Sequence, residues 1–195
     1  MNQATVDGHN SDLSSTWFTI GWVTMLLLLA GAFGQAFWYG PKLPALVVSH
    51  FDLQGNANGA MPRNSFLITM VSTQLGIAAI FLLLSWLIKI LPSSLINIPN
   101  RDYWLQGDKR ARTILALRTM ITWIGALSLL FLIAIFQLIL IANLRQQPFN
   151  KLALPALLGI FLALIAYSLY WTYKRFGRLP EDLMTNANSP NNAKD

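Results

Sequence analysis

Four long apolar stretches separated by short polar connections organise this chain: about Trp17–Tyr39, Ser65–Ile90, Thr113–Asn143 and Leu152–Tyr173. A helix rises 1.5 Å per residue and needs about 20 residues to cross a hydrocarbon layer of ~30 Å, so each stretch is long enough to span a bilayer. Aromatic residues bracket the first, with Trp17 and Phe18 at one end and Phe37, Trp38 and Tyr39 at the other, as suits the two headgroup levels. Lys89 stands near the end of the second, where its long stem can snorkel to the interface. The third exceeds what a bilayer requires, so it should tilt or project, with Arg118 on the projecting turn. The pattern predicts an all-α fold: a four-helix integral membrane bundle with a structured extracytoplasmic loop between helices 1 and 2.

The ends read differently. Residues 1–15 are polar and aperiodic and are expected to be disordered; 16–176 form the membrane domain; 177–195 pass into an Asn-rich stretch too poor in apolar residues to build a core and are also expected to be disordered. Asp7 and Asp12 but no lysine or arginine precede the first stretch, so it reads as a retained span rather than a cleaved signal peptide.

Composition agrees with the pattern. Apolar residues make up 54% and charged residues 11%, against about 25% charged in an ordinary soluble domain, and the mean hydropathy is +0.47. The absence of cysteine excludes disulfides, thiolate metal sites and cysteine nucleophiles. The net charge of +6 does not point to nucleic acid, because the basic residues cluster at the ends of the apolar segments rather than on a face interleaved with aromatics. They report topology instead. Lys89, Arg101, Lys109, Arg110, Arg112 and Arg118 flank the second connection and Lys174, Arg175, Arg178 and Lys194 follow the fourth span, whereas the first connection holds only Lys42 and Arg63 and the third only Arg145 and Lys151. The positive-inside rule then predicts a bacterial cytoplasmic (inner) membrane protein with both termini cytoplasmic, and anionic lipids near the inner connection.

Two connections carry more than length requires. In the outer one, Pro41 and Pro44 oppose helix, Leu46–Phe51 suits a short extended piece, and Asn58-Gly59 is a turn signal. In an extended segment His50 and Asp52 project on the same side, which predicts mutual contact or a shared ligand. Gly55 and Gly59 are expected to supply positive φ. The inner one reads Asn97-Ile98-Pro99-Asn100-Arg101-Asp102-Tyr103-Trp104, and its Tyr-Trp pair beside basic residues suits a headgroup surface.

These two segments carry a resemblance. Leu43-Pro44 followed by His50-Phe51-Asp52 and Gly55 resembles the proline-rich His-Phe-Asn/Asp-x-x-Gly signature of a bacterial membrane family, domain-of-unknown-function family 1648. The inner Asn97 to Trp104 segment resembles the motif that follows the next span in the same family, and the likeness covers roughly residues 20–120. Ser49 stands where the family has proline, Ala57-Asn58 where it has Pro-Asp, and Arg63 is the nearest match to an expected lysine. A relative of that family is a toxin-immunity and sensing protein, SdpI. The resemblance therefore implies an immunity- or sensor-type receptor binding an envelope peptide, toxin or protein partner through His50, Phe51, Asp52, Gly55 and Asn58.

Other chemistries find less support. Gln54-x-Asn56-x-Asn58-Gly59 follows the start of a calcium-loop spacing, but position one is a neutral glutamine and position twelve is Ser65. His50 and Asp52 are too few ligands for zinc, so neither metal nor cofactor is expected. An outer-leaflet enzyme or accessory subunit with His50 as base and Asp52 as its orienter is the second reading, and a structural subunit of a larger membrane complex the third. Oligomeric state is not legible. Within the spans, the polar residues Gln35, Gln74 and Gln137 all fall near the outer leaflet and predict one cluster of interhelical bonds, and Gly159, Ala163 and Ala166 predict a packing face in the fourth span.

Overall fold

The structure, a computed structural model, describes residues 3–52, 55–147 and 152–179, with side chains from Ser14 onward. Four helices, α1 (Gln3–Tyr39), α2 (Arg63–Ile90), α4 (Lys109–Arg145) and α5 (Ala153–Gly177), are long and apolar enough to cross a membrane. The class is all-α, and the four spans support a multi-pass membrane protein. Residues 3–15, within the segment 1–15 expected to be disordered, are helical. Once a helix is nucleated over an apolar span, each further residue adds one hydrogen bond, so extension needs no apolar pattern of its own. The expected disordered tail lies outside the described residues from position 180 onward.

Helix α4 is the organising element: α1 and α2 pack along it, and α5 leans on it from another side. Small residues bring the first three together. A Cβ on Gly125 would stand 2.8 Å from Phe81, and one on Gly21 would stand 3.1 Å from Thr122. In lipid, where apolar side chains gain nothing by leaving one apolar surface for another, such close backbone approach is a main source of helix association. Three apolar clusters stack along the bundle. One at the hairpin end holds Leu43, Val47, Phe66, Met70 and Leu140; a central one holds Met25, Ala78, Ala126 and Leu129; one at the opposite end holds Ile96, Leu105, Ile114, Leu117 and Phe176.

Helix α5 is peripheral, with Phe176 its one fully buried residue among those described. Its half-buried positions, Leu157, Phe161, Ile165, Ser168 and Thr172, recur at helical spacing and mark the face toward α4. Phe161 stacks on Phe131 at 4.5 Å between ring centroids, and the Thr172 hydroxyl donates to Met120 Sδ. The expected packing strip is therefore corrected: Ala163 and Ala166 are exposed, and a Cβ on Gly159 would meet nothing within 4 Å.

The connection between α1 and α2 is an antiparallel hairpin of β1 (Leu46–Phe51) and β2 (Ala57–Pro62), pairing Leu46 with Pro62 and Val48 with Ala60, with an irregularity around His50. The Asp52 N–H donates to Asn56 O and closes the hairpin there, and Asn58-Gly59, the expected turn, sit inside β2. Gly55 has φ 85° as expected, but Gly59 does not: it faces His50, and a Cβ there would stand 3.3 Å from His50 Nδ1. Gly59 supplies space for a neighbour rather than positive φ. At the other end, a one-turn helix α3 (Arg101–Trp104) closes the basic connection.

Candidate functional site

Among the described residues, one side chain of α4 hydrogen-bonds the hairpin to the bundle. Val48 donates its backbone N–H to Asn143 Oδ1 at 2.7 Å, and Asn143 Nδ2 donates to Val48 O and to Ile139 O, both at 2.9 Å. One carboxamide from the last turns of α4 thus reads a strand residue as a neighbouring strand would. Below, Val47 is fully buried against Leu140 and Phe66, which anchors the same strand in the apolar cluster. Between hairpin and α4 an open cleft of about 490 Å³ remains, lined by Pro44, Leu46, Val48 and Phe51 on one side and by Asn143, Gln146 and Gln147 on the other.

Of the residues singled out in the sequence, Phe51 and Gly55 line this cleft. Asp52 shapes the turn: its Oδ1 accepts the Asn56 N–H at 2.8 Å, its Oδ2 accepts Asn56 Nδ2 at 3.1 Å, and its carbonyl accepts the Gly55 N–H. An aspartate that caps its own turn is a common use of that residue type. His50 is exposed, with Nδ1 2.9 Å from Ser49 Oγ, and Asn58 is exposed on β2. Among the described residues no three His, Cys, Asp or Glu side chains gather into a metal-binding group.

Inside the bundle, Gln35 Nε2 donates to Gln137 Oε1 at 2.8 Å and to Ile133 O at 3.1 Å, while Gln137 Nε2 donates to the Tyr39 hydroxyl at 2.9 Å. These bonds tie α1 to α4 beneath the hairpin. Gln74, fully buried, instead donates to Met70 O one turn back on its own helix. Two of the three glutamines are thus joined; the third bonds only within its own helix, and its buried Oε1 has no partner among the described residues.

At the basic end the inner motif is a clamp on α5. Asn100, with φ 50°, donates through Nδ2 to Phe176 O at 3.0 Å, and Trp104 Nε1 donates to the same oxygen at 2.8 Å. That carbonyl belongs to the last turn of α5, where no intrahelical partner exists. Thr113 Oγ1 then donates to Trp104 O, which ties the clamp to α4. The Tyr-Trp pair is corrected accordingly: Trp104 is turned inward, edge-on to Phe176, while Tyr103 remains beneath Lys109 Nζ at 3.8 Å. Arg101 pairs with Asp102 at 3.3 Å, and Asn97 and Pro99 line a cleft beside α5.

The sequence reading missed Asn143 and understated Arg118. Asn143 marks only the boundary of the third span in the sequence, although a lone carboxamide two residues from the end of α4 is a signal that it bonds to something folded over that end. Arg118 does not simply project. Its Nε donates to Ser85 O on α2 at 3.0 Å and its guanidinium lies 4.5 Å over the Phe18 ring, joining three helices. This chain matches no protein-family model, no curated protein and no solved structure.

Proposed function

We propose that this chain is a non-enzymatic receptor of the immunity or sensing type in a bacterial cytoplasmic membrane, taking an envelope peptide, toxin or protein segment at its outward-facing hairpin. The observation that carries this reading is the cleft of about 490 Å³ between hairpin and α4, walled by β1 on one side and by Gln146 and Gln147 on the other. The carboxamides of Gln146 and Gln147 offer a peptide donors and acceptors, and Pro44, Leu46 and Phe51 offer apolar contact for its side chains. The family resemblance of the His50-Phe51-Asp52 segment points the same way. Against the enzyme reading stands the commitment of both Asp52 carboxylate oxygens to Asn56.

The test is a deletion strain profiled for survival against secreted peptide toxins and for envelope stress, complemented with wild type, Phe51→Ala or His50→Ala. The expected result is a sensitivity that wild type reverses and Phe51→Ala does not, at equal protein level in the membrane. Full rescue by both variants would remove the hairpin end as the working site.

A further inference from the structure

A second cleft opens at the basic end, where the 95–99 segment stands against α4 and α5. Ile88, Leu95, Ile98, Leu117, Ile121 and Leu169 give it an apolar wall, and its volume of about 560 Å³ falls within the ~300–1,000 Å³ of sites that take small ligands. Ties on either side fix its shape: Asn100 and Trp104 hold α5 at Phe176, and Met120 holds it at Thr172.

The polarity of the rim runs opposite to that of the wall. Tyr170 and Tyr173 also line the cleft, and Lys174 Nζ lies 5.8 Å from the Tyr170 ring centroid. Lys174, one helical turn on from Tyr170, forms no ion pair among the described residues, so its charge is available beside that ring. Asn97 and Ile98 line this cleft and also an adjoining polar hollow that holds Arg101 and Asp102.

We propose that this cleft is a binding site for one anionic glycerophospholipid, with an acyl chain along the apolar wall and the phosphate at Lys174. Three features select that occupant. The cleft lies at the end of four membrane-length helices, where acyl chains are the abundant apolar groups. Its order of apolar wall, tyrosine and ammonium repeats the order of chain, interface and headgroup in a lipid. Arg101, Arg110, Lys174 and Arg178, at the same end of the fold, favour a negative headgroup, at about tenfold or more for one or two cations near the surface. The site is independent of the hairpin and of any partner bound there.

The purified full-length chain in detergent is titrated with phosphatidylglycerol and with phosphatidylcholine of identical acyl chains, read by native mass spectrometry. The first phosphatidylglycerol should bind about tenfold more tightly, and Lys174→Gln should bring the two lipids within about threefold of each other. Leu169→Trp, filling the cleft from its exposed side, should weaken both. On the wild-type protein, phosphatidylglycerol carrying a photoreactive group in mid-chain should crosslink within 117–121 or 169–173. Equal retention of the two lipids by wild type, an unchanged preference in Lys174→Gln, or crosslinks spread over the exposed faces of α1 and α2 would each identify ordinary bulk lipid and overturn the site.

Discussion

Asn143 satisfies both backbone groups of Val48 and one carbonyl of its own helix with a single carboxamide. Replacing it by leucine keeps the size and removes every partner, leaving the Val48 N–H and C=O facing an apolar side chain. A buried backbone group stripped of its bond costs about 1–3 kcal/mol, and because Val48 is half-buried beside the open cleft, Asn143→Leu should lower stability by about 1 kcal/mol or more. Gln147→Leu, at an exposed position one turn on, should stay within about 0.5 kcal/mol of wild type. Denaturant midpoints of the two variants in the same detergent check this, and equal midpoints would show that the hairpin is held by its apolar contacts alone. At this scale the sequence was legible where one residue decides its own conformation. Gly55 announced a positive φ and has one, whereas the reason for Gly59 is the His50 ring across the strand pair, which no local pattern reveals.

At the scale of elements, the spans were legible because the absence of charge over 20 or more residues has one physical solution in lipid, and β1 because Pro41 and Pro44 oppose helix before a short run that suits an extended piece. The strand β2 was not, since Ala-Asn-Gly-Ala-Met-Pro carries little strand preference. Its pairing is imposed by β1 and by the bond from the Arg63 N–H to Ala45 O at the hairpin's base. The peripheral place of α5 was hidden too, because a helix apolar all round does not announce which face meets protein and which meets lipid. The glutamines show how far depth alone carries an inference: equal depth brought Gln35 to Gln137 but did not decide the partner of Gln74. Leucine at 35 and at 137 should therefore couple, with an interaction energy of about 0.6–2 kcal/mol in a double-mutant cycle. The cycle of Gln74→Leu with Gln137→Leu should be additive within about 0.5 kcal/mol. Coupling of equal size in both cycles would place all three amides in one network.

For the whole molecule, the two ends of the bundle differ in charge as they differ in architecture. The hairpin end carries Lys42, Arg63 and Arg145, with Lys42 Nζ stacked 3.6 Å over the Trp38 ring. At the opposite end Lys89, Arg101, Lys109, Arg110 and Arg112 surround the α3 clamp, and Lys174, Arg175 and Arg178 close α5 beside it. Because α5 is clamped to the second connection through Phe176, the two basic clusters lie at one end of the fold and must share a side of the membrane. That joins two counts which the sequence could only add separately, and the positive-inside rule predicts the cytoplasm for the shared side. The chain has no cysteine, so single cysteines introduced by Asn58→Cys, Asp108→Cys, Gln147→Cys and Asn188→Cys report their own sides without background. Asn58, Asp108 and Gln147 are exposed, and none of the hydrogen bonds that hold the hairpin turn or the clamp uses their side chains. In intact cells an impermeant thiol reagent should label positions 58 and 147 and spare 108 and 188 until the membrane is opened. The reverse pattern would turn the molecule over and place the lipid cleft in the outer leaflet and the hairpin in the cytoplasm. Labelling of 108 but not 188 would require a different number of spans, because the clamp keeps the end of α5 on the side of α3.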